Sequence, residues 1–303
     1  MRRALLWAST NPLLAERLPR YEFVKRATKR FMPGEELDDA LREAQRLGES
    51  GVASTITLLG ENVSTAQEAD EVTDHYLAGL EAVRARDVDA EISIKLTQLG
   101  LDQGIEAATD RVRSLVAATS SVVWIDMESS TYVDRTLEVF RAARGDADNV
   151  GVCLQSYLRR TKDDLDALLP LDPSIRLVKG AYNESPSVAF SKKGEVDQNY
   201  VRLASALLRA RAQGGQGRPI FGTHDPRMIG EAGRLAHELG VERSAYECSM
   251  LFGIQRAQQE RLARSGHTVR ILISYGSAWF PWYMRRLAER PANMWFVVKQ
   301  LIG

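Results

Sequence analysis

Short apolar runs recur along the chain at a regular interval. β-Branched and aliphatic residues cluster at Val52–Leu59, Glu91–Leu96, Val122–Asp126, Val150–Gln155, Ile175–Val178, Pro219–Gly222, Ser244–Glu247 and Val269–Ser274. Most are nearly unbroken apolar stretches, the pattern of strands buried on both faces. They lie about 31 residues apart, the size of one strand–helix unit. Segments with helical periodicity separate them. Asp70–Arg86 carries Val72, Tyr76, Leu80 and Val83 on one face, and Asp102–Ala118, Arg135–Arg144, Lys162–Leu169, Asn199–Gln213, Arg227–Leu239 and Gly253–Ser265 behave alike. Eight strands with intervening helices over ~250 residues predict an α/β fold, a (βα)8 TIM-type barrel. A doubly wound open sheet is the alternative, but it calls for fewer strands and usually a glycine-rich first turn, which this chain lacks.

Residues 1–50 precede the repeat. They predict two or three helices, such as Leu13–Phe31 and Glu35–Leu47, hinged at Met32-Pro33-Gly34. The expectation is an N-terminal helical segment, 1–50, packed on a barrel domain, 51–303. The glycine-rich stretch Gln213–Arg218 reads as a flexible loop into the sixth strand.

Composition narrows the function. The 303 residues are 44% hydrophobic and 26% charged, enough for a sizeable core. Forty basic side chains balance forty acidic ones, so no overall field recruits nucleic acid or an acidic membrane. The two cysteines, Cys153 and Cys248, sit in apolar runs and read as reduced core thiols of a cytoplasmic protein. No apolar run reaches the ~18 residues of a membrane span. Met1–Trp7 begins like a signal peptide but soon meets Asn11-Pro12, so no export signal is expected.

In such barrels the reactive groups stand where strands end. The expected ends supply Glu61 and Asn62, then Lys95, then Asp126 and Glu128, then Gln155, then Arg176 and Lys179, then Thr223 and His224, then Glu247, then Ser274 and Tyr275. Any single one of these is as well explained by closing a hydrogen-bond network; a polar group at every end points to a site. Lys95 and Asp126 end neighbouring strands, and a buried lysine needs such a partner. Two roles are open to it: a Schiff-base nucleophile, or a fixed charge for a carboxylate. His224 is one of four histidines and stands alone at a strand end, so no metal site is expected. Dinucleotide fingerprints, P-loops and the serine nucleophile elbow are absent.

Near the C-terminus, Tyr283-Met284-Arg285-Arg286-Leu287-Ala288-Glu289-Arg290-Pro291-Ala292-Asn293 follows the aromatic cluster Trp279, Phe280 and Trp282. Paired guanidinium forks suit a carboxylate ligand, and Glu289 shares a helical face with Arg285. By spacing alone, a solvated, salt-bridged helix is the more common reading.

Taken in order, these motifs resemble the proline dehydrogenase family, in its monofunctional bacterial form. The resemblance is carried by Ile92-Ser93-Ile94-Lys95-Leu96, Ile125-Asp126-Met127-Glu128, Leu154-Gln155-Ser156-Tyr157, Arg176-Leu177-Val178-Lys179-Gly180-Ala181-Tyr182, Gly222-Thr223-His224, Tyr246-Glu247 with Met250-Leu251-Phe252-Gly253, and the arginine-pair helix. It implies FAD bound across the C-terminal mouth without a Rossmann domain, oxidation of L-proline to 1-pyrroline-5-carboxylate by hydride transfer to flavin N5, and electrons passed to a quinone. It implies that Arg285, Arg286 and Lys95 bind the proline carboxylate, that Asp126, Tyr275 and Leu251 shape the pocket, and that Glu289 holds an arginine. Arg176 would lie near N5. Gln155, Lys179, Gly180, Ala181, Tyr182, Thr223, His224 and Glu247 would contact or support the cofactor, with Phe190–Tyr200 near its adenosine half.

The quinone implies transient contact with a membrane surface, for which the basic segment Arg17, Arg20, Lys25, Arg26, Lys29 and Arg30 is the one candidate anchor. The chain departs from the family pattern at Trp282, where a tyrosine is expected, and at Ser249, where a glutamine is common. Two other readings stand beside this one: a Schiff-base aldolase using Lys95 or Lys179, and a non-catalytic amino-acid-binding barrel.

Overall fold

A computed structural model of the chain describes residue 11 and residues 28–289. Eight parallel strands close a barrel in sequence order: β1 Ala53–Leu58, β2 Ala90–Ile94, β3 Val123–Ile125, β4 Val150–Gln155, β5 Ser174–Val178, β6 Pro219–Gly222, β7 Glu247–Leu251 and β8 Thr268–Tyr275. Between them run α2 Ala66–Ala85, α3 Ile105–Ala117, α4 Val133–Asp146, α5 Thr161–Leu168, α6 Lys193–Ala212, α7 Pro226–Glu238 and α8 Arg256–Arg264. α1, Leu37–Gly48, precedes β1, and α9, Trp279–Glu289, follows β8. This is the (βα)8 barrel that the spacing predicts.

The seventh strand is shifted from its expected place at Ser244–Glu247. Arg243–Ala245 form a single 3-10 turn, and the ladder with β8 runs from Glu247 to Leu251. The alternating run Cys248-Ser249-Met250-Leu251 thus supplies the strand, and Glu247 begins it instead of ending it.

Strand alternation splits the side chains into two sets. The outer set is apolar. Ile92, Ile94, Val123, Ile125, Val150, Val152, Leu154, Ile175, Leu177 and Phe221 join the surrounding helices in one continuous core. Ile56, Cys248, Met250, Val269, Ile271, Ile273 and Tyr275 pack with Ala40, Leu41 and Ala44 of α1 in a second. α1 therefore closes the helical ring against β1 and β8. α9 packs elsewhere, with Phe31, Met32 and Leu59, beyond the C-terminal end of β1. Gly253, in the loop after β7, has φ +74°, and a Cβ there would stand 1.6 Å from the Arg30 carbonyl oxygen. Only glycine lets the N-terminal segment cross at that distance. The expected helix Leu13–Phe31, the basic anchor up to Arg26, and Arg290-Pro291-Ala292-Asn293 with the rest of the C-terminal stretch lie outside the described residues, save Thr28 onward.

The inner set is polar. Near the N-terminal end, Arg270 Nε donates to Glu247 Oε2 at 2.7 Å, and Arg218 Nη1 reaches Glu247 Oε1 at 3.1 Å. Arg218 also pairs with Glu91, whose Oε2 accepts from Trp124 Nε1 at 2.7 Å. The Trp124 ring fits because β4 places Gly151 beside it: a Cβ at Gly151 would lie 2.6 Å from that ring. Glu247 is thus a member of a buried ion-pair network at the barrel floor, and its placement at the cofactor end is corrected. Prediction: Glu247→Ala leaves buried Arg270 without the carboxylate it is hydrogen-bonded to and lowers the free energy of unfolding by about 3–5 kcal/mol. Urea unfolding followed by circular dichroism checks this, and an unchanged midpoint would contradict the network's structural role.

Candidate active site

Lys95 follows β2 and Asp126 follows β3, at the C-terminal mouth. Lys95 Nζ lies 3.2 Å from Asp126 Oδ2 and 3.5 Å from Thr57 Oγ1 of β1. Asp126 Oδ1 accepts from Ser93 Oγ at 2.8 Å and also from Arg176. Arg176 Nη2 donates to Ser93 Oγ at 2.8 Å. Arg176 sits inside β5, one turn of the pleat below the strand end where sequence spacing puts it, and its long side chain reaches up to the mouth.

Electrostatics follow from this packing. Burial disfavours the Lys95 ammonium, but Asp126 together with Tyr76, Glu61 and Glu128 outweighs it and the pKa is raised. Burial likewise works against the Asp126 carboxylate, but Lys95 and Arg176 outweigh it and its pKa is lowered. Arg176 is held charged against burial chiefly by Asp126. Two cations thus share one anion, and the group keeps one net positive charge facing the mouth.

Glu128 behaves oppositely. Burial pushes its pKa up to about 7, although the Thr97 hydroxyl and backbone N–H both donate to it, at 2.6 and 3.0 Å. Gln155, at the end of β4, donates from Nε2 to the Met127 and Glu128 carbonyl oxygens at 3.0 and 3.2 Å. Its amide is thereby oriented, and its buried Oε1 has no hydrogen-bond partner among the described residues.

The remaining expected residues divide into groups. Lys179 bridges Asp197 at 2.5 Å and Asp225 at 3.0 Å, beside Lys193 and Arg227, at the N-termini of α6 and α7. Gly180 packs its backbone on the Tyr157 ring, and after Ala181 the Tyr182 hydroxyl donates to Glu61 Oε1 at 3.1 Å. That bond ties the β5 loop to the β1 loop across the mouth. Thr223 Oγ1 accepts from the Asp225 N–H at 3.1 Å, and His224 Nε2 accepts from the Leu251 N–H at 3.3 Å. Leu251 ends β7 half-buried. Arg286 holds its guanidinium 6.0 Å from the centre of the Trp282 ring on α9. The backbone of Arg285 and Glu289 belongs to that helix, while their side chains lie outside the description.

Tyr275 is not brought to the mouth. Its side chain belongs to the outer core, and its hydroxyl lies 2.9 Å from His75 Nε2 on α2. Arg270 points inward, so alternation turns Leu272 and Ser274 inward and Ile271, Ile273 and Tyr275 outward. The expectation that Tyr275 shapes the pocket is therefore corrected. Sequence reasoning also missed Ser93, Thr57 and Trp124. The signal was present: Glu91, Ser93 and Lys95 stand two apart and so share the inner face.

A closed parallel barrel whose cations and carboxylates converge at the C-terminal mouth belongs to the class of (βα)8 barrels with a charged mouth at the strand ends. The profile of the family described as proline dehydrogenase matches residues 40–299. Proline dehydrogenase of Deinococcus radiodurans is 36% identical over 309 residues, covering 99% of this chain and 97% of that protein. Proline dehydrogenase 1 of Bacillus subtilis subsp. natto is 33% identical over 305 residues, covering 100% and 99%. The chain belongs to the proline dehydrogenase family. A crystal structure of proline utilization A from Bdellovibrio bacteriovorus superposes with a TM-score of 0.82 at 23% identity, covering 95% of this chain, and shows the same fold. The present chain spans about a third of the length of that larger protein, 36%.

Prediction: Glu128 makes stability pH-dependent. Its folded pKa, about 7, lies above the ordinary 4.5, so the folded state binds the extra proton between those values. Stability therefore falls as pH rises from about 4.5 to about 7, by on the order of 3 kcal/mol. Glu128→Gln should flatten that part of the profile, measured as urea midpoints from pH 4.5 to 8; a variant with the wild-type slope would contradict the assignment.

Proposed function

We propose that this chain oxidises L-proline to 1-pyrroline-5-carboxylate at the barrel mouth, with FAD as bound cofactor and a quinone as electron acceptor. The observation that carries the reading is the Lys95–Asp126–Arg176 group, set at the mouth of a barrel of this family. Its net positive charge suits a carboxylate, and α9, the helix that follows β8, carries Arg285 and Arg286 in its sequence. Asp126 stays ionised and orients both Lys95 and Arg176. Lys95 is held protonated by Asp126, the reverse of what a Schiff-base nucleophile requires, which disfavours an aldolase.

The residues present fit a flavin. Gln155 Oε1 is a buried acceptor with a fixed direction, suited to a ring N–H donor. Arg176, also buried, supplies a permanent positive charge beside it. Lys179, Lys193 and Arg227 share the two carboxylates of Asp197 and Asp225 at two helix N-termini, a cluster with more cations than anions that suits an anionic group. Thr223, His224, Gly180, Ala181 and Tyr182 line the same arc of loops. FAD, when bound, would supply the two-electron, hydride-accepting chemistry. The protein fixes the carboxylate at Lys95 and the arginines, so that the carbon next to nitrogen is the part of the ring presented for reaction. Reaction with a quinone and transient contact with a membrane surface rest on the family resemblance alone. Among the described residues no helix is long and apolar enough to cross a membrane.

Prediction: the purified protein is yellow, and its flavin bands bleach on adding L-proline without oxygen; a colourless protein that fails to take up FAD would refute the reading. Prediction: Arg286→Met and Arg285→Met raise KM for proline about 10- to 100-fold while flavin stays bound, as expected when a charge-assisted carboxylate contact is lost. Lys95→Ala lowers kcat/KM by a similar factor. Steady-state kinetics on the three variants, with flavin content read from absorbance, decide between these roles and a purely structural one.

A further inference from the structure

The strand seam beside Lys95 is interrupted at the mouth. β1 pairs with β8 as far as Leu58, and β2 pairs with β3 as far as Ile94. With each other, β1 and β2 pair only to Ile56 and Ile92, although both strands run on. Their seam starts with the Ser54 N–H donating to the Asp89 carbonyl oxygen at 2.9 Å. Carried on in that register, the Leu58 N–H would donate to the Ser93 carbonyl oxygen. Instead, the Tyr76 hydroxyl of α2 stands between the two. It accepts from the Leu58 N–H at 3.1 Å and donates to the Ser93 carbonyl oxygen at 3.0 Å. Two hydrogen bonds in series replace one, so the strands stand farther apart here than a direct bond would hold them. The Tyr76 ring stays outside the barrel, 1% exposed, in the core with Leu80, Ile92 and Ile94. Only its oxygen enters the seam.

The two peptide groups that Tyr76 joins adjoin the site. One follows Thr57, whose Oγ1 lies 3.5 Å from Lys95 Nζ. The other follows Ser93, whose Oγ donates to Asp126 Oδ1 at 2.8 Å, and leads within two residues to Lys95. Resting on the reading above, we propose that Tyr76 is a positioning residue for substrate binding. Its hydroxyl is an inserted rung that holds the β1–β2 seam open. It thereby seats the Lys95 ammonium between Thr57 and Asp126, where the ammonium meets the proline carboxylate. A direct bond from Leu58 to Ser93 would draw Thr57 toward β2 and narrow that seat. Left unbridged, the same two backbone groups would be buried without partners, and the seam would shift to pair them. Either way Lys95 moves relative to Asp126. Tyr76 itself lies behind the barrel wall and acts through Lys95.

The test uses the flavin-loaded enzyme and steady-state kinetics with L-proline. Tyr76→Phe keeps the buried ring and removes the rung. KM should rise about tenfold while kcat stays within about threefold and flavin content is unchanged, the signature of weakened substrate binding. A role in stability alone would lower the urea midpoint but leave the KM of the folded enzyme at the wild-type value, and that result would overturn the proposal. Combining Tyr76→Phe with Lys95→Ala closes a double-mutant cycle. Because Tyr76 acts through Lys95, the phenylalanine should change kcat/KM by less than about twofold once the ammonium is gone. An undiminished effect in that background would also overturn the proposal. Thr57→Val removes the hydroxyl on the other side of the Lys95 seat, and it is the second variant should the phenylalanine weaken the fold. It must raise KM in the same way, and a wild-type KM there would count equally against the seat. A wild-type protein that does not turn over proline would instead overturn the reading on which the proposal rests.

Discussion

The Trp124 indole joins the two ends of the barrel interior. Arg176 lies over its ring at 5.4 Å and Arg218 at 5.4 Å, while its N–H is spent on Glu91. Below it, charges are arranged to neutralise one another: Glu91 and Glu247 against Arg218 and Arg270. Above it, Arg176 and Lys95 both pair with Asp126. One ring therefore separates a floor that closes the barrel from a mouth that keeps an unspent positive charge. Gly151 is part of that arrangement, because any side chain at that position would displace the indole. A barrel interior this polar is costly to bury. The cost is met on the outside, where the strands present a nearly unbroken apolar surface to the helices.

Two neighbouring carboxylates show how local surroundings assign different tasks to the same chemical group. Asp126 and Glu128 leave the same strand end two residues apart. Asp126 faces two cations and stays ionised. Glu128 is buried among hydroxyl and backbone groups of the Thr97 turn, and its pKa rises to about 7. Both are anchored to β2 or the turn after it, so the β2–β3 edge carries the charged half of the mouth. The β7–β8 edge carries the aliphatic half.

Much of the design was legible along the chain. Eight apolar runs with helices between them admit few closed solutions, and the polar residue after each run marks the end that faces a ligand. Lys95 and Asp126 could be paired because neighbouring parallel strands end side by side. The misplacements have a common physical origin. Glu247 and Tyr275 were read from where an apolar run stops, but a run does not announce its phase. In β7 the ladder begins where the apolar run was taken to end, which carries Glu247 to the floor. In β8 the side-chain period of two turns Tyr275 outward onto His75 and leaves Leu272 facing in.

By itself, then, the sequence determined the number of strands, the parallel closure, the polar ends, and through its ordered motifs the family. Those depend on composition and spacing, which are local properties. Tertiary structure decided which residues share the interior. It made Ser93 the link between Arg176 and Asp126, tied Tyr182 to Glu61 across the mouth, and left Gln155 Oε1 facing inward without a partner among the described residues. Those contacts join residues tens to more than a hundred positions apart. Only the register and stagger of a closed barrel bring such residues to one height, and no periodicity along a single strand contains that information.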